Sequence, residues 1–163
     1  MSPQAAFVIR PATPADAPAL GRLGALLVAV HHSFDRDRFI APSPQTERGY
    51  GAFLAREIER AEALVLVAER AGAVLGYVYG GLEGADFMVL RGPAGLIHDL
   101  VVDPAHRGQG VGRRLLEAAR TALVERGAPR LVLSTAQQNH AAQRLFAAAG
   151  FRPTLIEMTW EPT

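Results

Sequence analysis

Three stretches of the chain bring together residue types whose spacing could do chemistry. The first is AHRGQGVG, Ala105 to Gly112, set between the apolar run LIHDLVV and the helix-like RRLLEAARTALVE. Glycines at 108, 110 and 112 let successive backbone N–H groups turn toward one point without Cβ obstruction. A helix starting there aims its unpaired N–H groups and the positive end of its dipole at the same spot. The chemistry is anion binding, and a pyrophosphate suits it. The second stretch is His98-Asp99 inside the preceding apolar run. An imidazole, with an ordinary pKa of about 6.5, is matched to general acid–base work near neutral pH. Strand alternation puts His98 on one face with Leu100 and Val102 and Asp99 on the other, unless a bulge redirects Asp99. The third is NHAAQRLFAAAGF, Asn139 to Phe151, an Asn opening a helix of small residues that stops at Gly150.

The elements that must position these residues follow from the hydrophobic period. FVIR, Phe7 to Arg10, reads as a short strand. Thr13-Pro14-Ala15-Asp16 then supplies an N-cap, a first-turn proline and an acid for a helix running to about His31. HHSFDRDRFIAPSP reads as a loop, and Ser43-Pro44 opens a second helix ending near Ala61. ALVLVAE, Ala63 to Glu69, and VLGYVY, Val74 to Tyr79, form a hairpin about Ala71-Gly72. A loop from Gly80 to Pro93 leads to a strand over Leu96 to Val102. Past the glycine loop, Val111, Leu115, Leu116, Ala119 and Leu123 mark the core face of a helix. A strand over Arg130 to Thr135, the Asn139 helix and a last strand over about Thr154 to Trp160 complete the order β-α-α-β-β-β-α-β-α-β. That order predicts one α/β domain over residues 1–163, a mixed sheet flanked by helices.

Composition narrows the class. The 163 residues carry a net charge of +1 and 49% hydrophobic residues. With no concentrated positive charge, neither nucleic acid nor a membrane surface is expected as a partner. No signal pattern opens the chain and no apolar run approaches a membrane span, so a cytoplasmic protein is expected. Cysteine is absent, which removes thiolate nucleophiles and disulfides. All seventeen basic residues are arginine. A P-loop therefore lacks its lysine, and from Gly108 a dinucleotide-binding turn meets Arg113 where its third glycine belongs. His31-His32 is a poor metal pair, because adjacent histidines do not face one point and no third ligand is evident. No metal is expected.

The third candidate for the loop is coenzyme A. Arg107, Gly110 and Gly112 fit [Q/R]-x-x-G-x-[G/A], and Val101-Val102-Asp103-Pro104 precedes them. With the Asn139–Phe151 segment at its spacing, the chain resembles the GNAT superfamily of N-acetyltransferases over most of its length. The resemblance implies acetyl-CoA as cofactor. It implies a pyrophosphate held by Arg107, Gly108, Gln109, Gly110, Val111, Gly112 and Arg113, and a pantetheine arm along Leu100, Val101 and Val102. A backbone N–H near Leu100 or Val101 would meet the thioester carbonyl, and Asn139 would reach the arm from across a cleft. Many family members carry an acid where His98 stands and a proton-donating Tyr where this chain has Phe146. Water or the hydroxyls of Ser134 or Thr135 are the substitutes for that acid.

His98 is the candidate base; a half-buried histidine bonded to a loop is the alternative. Asp99 would orient His98, bind a cationic acceptor or satisfy backbone groups. The family's acceptor site would fall on His31, Phe34, Tyr77 and Tyr79, taking a primary amine on a small molecule or a peptide. Transfer is expected to be direct, in a ternary complex, since no cysteine can carry an acyl group. The rival reading is a non-catalytic acyl-CoA-binding module. Ile156, Met158 and Trp160 alternate toward one face, either to pair a homodimer or to cover the domain's own helices.

Overall fold

A computed structural model describes residues 6–162. Five strands form one sheet in the order β1-β2-β3-β4-β5: Val8–Pro11, Ala63–Arg70, Ala73–Glu83, Ala94–Val102 and Leu131–Leu133. The first four are antiparallel neighbours, and β5 joins β4 in parallel. The helices are α1 (Ala17–Phe34), α2 (Thr46–Ile58), α3 (Val111–Glu125) and α4 (His140–Ala148). This is the mixed α/β architecture expected.

Alternation along the strands sorts the core into two layers. Leu20 and Leu23 of α1 and Leu54 of α2 pack on Val65, Val67, Tyr77 and Val101. On the opposite face, Leu115, Leu116 and Leu123 of α3 and Phe146 of α4 pack on Leu64, Leu66, Val78 and Ile97. The α1–α2 contact is unusually close because it runs through glycine. A Cβ on Gly51 would lie 2.6 Å from the carbonyl oxygen of Ala17, and one on Gly24 would overlap the ring of Tyr50.

Several boundaries differ from the expectation. Thr13-Pro14-Ala15-Asp16 forms a capping box, but on a short 3-10 turn that precedes α1. β3 continues to Glu83 rather than stopping at Tyr79. The strand expected over Thr154–Trp160 does not form: these residues run as exposed chain, with Ile156, Met158 and Trp160 more than four-fifths exposed. Their alternation suits a strand, but among the described residues no strand edge pairs with it. Between β3 and β4, Phe87 to Leu90 also stand exposed.

Candidate active site

The site begins where two strands part. β5 pairs with β4 only from Gly95↔Leu131 to Ile97↔Leu133, whereas β4 runs on to Val102. The edge of residues 98–102 turned away from β3 therefore has no strand partner. Leu100 on one side and Leu133, Ser134, Thr135 and Asn139 on the other line a cavity of about 300 Å³.

A β-bulge aims side chains into it. Tyr79 pairs with Asp99 and the next pair is Gly80↔Ile97, so His98 has no partner across the ladder. A Cβ on Gly80 would overlap the carbonyl oxygen of Leu96, so glycine lets β4 press inward here. The extra residue reverses the alternation. Leu100 and Val102 pack with the α3 layer, while His98 stacks at 5.1 Å on Tyr79, which belongs to the α1–α2 layer. His98 thus does not share a face with Leu100 and Val102, and the bulge brings His98 and Asp99 together on the cavity wall.

Asp99 is buried and accepts two hydroxyl hydrogen bonds on Oδ2, from Tyr50 at 2.7 Å and Tyr77 at 2.9 Å. Burial pushes its carboxyl pKa up and the two donors pull it down; burial is the larger effect. Burial and the neighbouring carboxylate also push both phenols well above their ordinary value, so they remain donors. Asp99 therefore neither orients His98 nor satisfies backbone groups. His98 Nε2 lies 3.1 Å from Glu83 Oε1. His31 also lines the cavity; its Nδ1 sits 2.9 Å from the carbonyl oxygen of Leu27, which leaves Nε2 as the free ring nitrogen.

The other expected acceptor residues fare differently. Tyr77 is fully buried beneath Asp99 and cannot touch a substrate. Tyr79 donates its hydroxyl to Glu57 at 2.8 Å, and neither it nor Phe34 lines the cavity. Their places are taken by Tyr50, Phe39 and Ile40. Among the described residues, no group of three or more His, Asp or Glu is arranged to hold a metal ion.

At its far end β4 runs into the glycine loop. Asp103 turns the chain, accepting from Ala105 N at 3.0 Å on Oδ1 and from Arg22 of α1 at 2.8 Å on Oδ2. Gly108 (φ 75°) and Gly110 (φ 79°) hold left-handed conformations, and Gly110 caps α3. A Cβ on Gly112 would stand 3.4 Å from Val102 and 3.6 Å from Leu145, across the mouth of the cleft. The polar side chains of the loop and of the first turn of α3 also make contacts within the chain. Arg113 Nε pairs with Glu117 at 2.8 Å, Arg114 bonds the carbonyl oxygen of Phe7 at 3.1 Å, and Gln109 accepts from Arg70 at 3.1 Å. Arg107 Nε donates to the carbonyl oxygen of Val102 at 3.3 Å, and Val111 is core. Asn139 caps α4, its Oδ1 accepting from Ala142 N at 3.2 Å, which leaves its amide N–H₂ toward the cavity. Phe146 is buried against Phe151 and closes the cavity floor.

A model of the acetyltransferase (GNAT) family matches residues 27–151, a span that holds the bulge, the cleft and the cradle together. The chain belongs to the GNAT family. Its relatives include a mycothiol acetyltransferase of Thermobispora bispora, 36% identical over 98 residues, which cover 58% of this chain and 32% of that protein. They also include YhfO of Bacillus subtilis, an uncharacterized N-acetyltransferase, 31% identical over 64% of this chain and 68% of that one. The chain thus spans about a third of the length of the mycothiol acetyltransferase it matches. Among solved structures, a mutant of the BH1408 protein of Bacillus halodurans has a TM-score of 0.80 at 21% identity, over 96% of this chain and 99% of that one. The aminoglycoside N-acetyltransferase AAC(6')-Iy, solved with CoA, has a TM-score of 0.73 at 15% identity, over 99% and 98%. Both share the GNAT fold.

Sequence reasoning missed Tyr50, Phe39 and Ile40. A tyrosine on the apolar stripe of α2 was the signal for the first, since a buried phenol needs a partner. Nothing local marked the other two, which lie in a segment dominated by charge and proline.

Proposed function

We propose that this GNAT protein is an acetyl-CoA-dependent N-acetyltransferase that moves an acetyl group directly to a primary amine. The observation that carries the reading is continuity: one unpaired strand edge connects a glycine cradle at its C-terminal end to a buried carboxylate and a histidine at its bulge. Acetyl-CoA fits this arrangement residue by residue. The backbone of Gly108 to Gly112 at the α3 N-terminus suits the pyrophosphate. The edge of Leu100, Val101 and Val102, which β5 does not reach, suits the amide-bearing arm, with the Asn139 side chain facing it.

Bound acetyl-CoA supplies the acetyl group as a thioester whose thiol, of pKa about 8.5, leaves readily. The chain's own residues do the rest. A backbone N–H at Leu100 or Val101 stabilises charge developing on the acetyl oxygen. His98 takes the ammonium proton, its ring stacked on Tyr79 and beside Glu83. As the tetrahedral adduct collapses, the proton still held by its nitrogen would pass to the departing thiolate, relayed by the hydroxyl of Ser134 or Thr135, which line the cavity, in place of the Tyr that Phe146 replaces. Relatives named for small-molecule acceptors favour such an amine over a peptide. The test is thiol release from acetyl-CoA against a panel of primary amines, with His98→Ala beside the parent protein. Amine-dependent release, lost in the variant while CoA affinity holds, supports the reading. CoA binding without release by any amine makes the chain an acyl-CoA-binding module.

A further inference from the structure

The acceptor end of the cavity has a composition that selects among amines. Tyr50 and Tyr77 both donate to Oδ2 of Asp99. Oδ1 takes no hydrogen bond from the described residues and is not a sealed, orphaned atom, so it is the oxygen presented to the cavity. Asp99 is the single acid among the lining residues. The nearby Glu57 is engaged by Tyr79 and Arg60, and Glu83 by His98 and Arg91. Leu27 and Val28 of α1, with Phe39 and Ile40, give the lining an apolar part beside His31. Ile40 is 76% exposed at this rim, an apolar side chain that its own fold does not cover.

We propose that this pocket takes a small, singly charged primary amine bearing an aliphatic or aromatic group. The ammonium sits on Asp99 Oδ1 and the apolar group lies against Leu27, Val28, Phe39 and Ile40. The proposal rests on the reading that the chain acetylates amines. One carboxylate matches one ammonium. A polycation would bring its further charges against apolar side chains and the imidazoles of His31 and His98, where desolvation is uncompensated. A polyhydroxylated amine would leave its hydroxyls unpaired against those apolar side chains. Burial of Asp99 agrees with this, because an incoming cation supplies the counter-charge that its ionised form lacks. Tyr50 and Tyr77 act as positioning residues that fix which oxygen faces the amine.

Calorimetric titration of the full chain, with and without saturating CoA, tests this using 2-phenylethylamine, glucosamine, kanamycin and a tripeptide with N-terminal Phe. The expected result is 2-phenylethylamine binding at least tenfold tighter than the other three. Asp99→Asn should weaken it at least tenfold and leave CoA affinity unchanged. Ile40→Ser, at an exposed position that does not threaten folding, should weaken 2-phenylethylamine severalfold and glucosamine not at all. Kanamycin, glucosamine or the tripeptide binding as tightly as 2-phenylethylamine would overturn the proposal, as would no binding of 2-phenylethylamine or equal effects of Ile40→Ser on every amine. CoA affinity, read separately, decides the broader functional reading: a chain that binds CoA but prefers kanamycin keeps that reading and loses this proposal.

Discussion

Gly24 is the position where the packing of two helices controls the chemistry of the site. In an ordinary helix interior, Gly→Ala stabilises by about 1 kcal/mol. Here the added Cβ would lie 2.7 Å from Cε1 of Tyr50 and closer still to Cγ and Cδ1. Carbon atoms in good contact sit about 3.5–4.0 Å apart, so the ring must move by more than about 1 Å. Its hydroxyl donates to Asp99 at 2.7 Å, and such a shift takes it out of hydrogen-bond range. A hydrogen bond to a charged partner contributes about 1.5–3 kcal/mol, more than the helix gains. Gly24→Ala should therefore destabilise by about 0.5–2 kcal/mol, which lowers the Tm of a chain this size by roughly 1–8 °C. Gly49→Ala is the control: it lies on α2, where a Cβ would meet nothing within 4 Å, and it should stabilise. Thermal melts and steady-state kinetics read both variants, with the amine KM raised for Gly24→Ala alone. A Gly24→Ala protein as stable as Gly49→Ala, with unchanged KM, would refute the claim that this glycine seats Tyr50 on Asp99.

Three further outcomes follow from the same geometry. Gly110→Ala places a side chain at φ 79°; it should cost about 1–2 kcal/mol and weaken CoA binding in calorimetry, with amine binding unchanged. Asp99 has its folded-state pKa raised by burial, so the folded protein holds the proton more tightly and stability falls as pH rises through that folded value. Asp99→Asn should remove that fall and melt higher than the parent at pH 7, even as acetyl transfer is lost. Asp16 behaves oppositely: the Arg10 guanidinium, bonded at 2.8 and 2.9 Å, holds its carboxyl down to about 2 from 3.8. That pairing contributes about 2 kcal/mol, fully present above pH 4 and lost as pH falls through 2, so denaturant melts of Asp16→Asn should converge with the parent only in acid.

The parts of the site legible in the sequence are those fixed by neighbours along the chain. Gly108, Gly110 and Gly112 declare a backbone cradle because positive φ and a following helix are local properties. The β2–β3 hairpin about Ala71-Gly72 is local in the same way. The bulge at His98 is not, since it exists only as a mismatch of register with Tyr79 and Gly80 on another strand. Alternation alone therefore sent His98 to the wrong face. Arg113 looks like a phosphate ligand beside a helix N-terminus, and only the structure shows that its Nε pairs with Glu117 one turn on. The alternation of Ile156, Met158 and Trp160 satisfies a strand pattern, yet pairing needs a free edge that no pattern reports. Tyr50 lies on the apolar stripe of α2, and its hydroxyl acquires a role only where Gly24 brings α2 against α1.

The most direct test of the account is an amide NMR titration of the full chain with acetyl-CoA. It predicts saturable shifts at Gly108, Gly110, Val111 and Gly112 together with Leu100, Val101 and Val102, the cradle and the free edge moving as one set. Shifts confined to other residues, or none at millimolar acetyl-CoA, would contradict it.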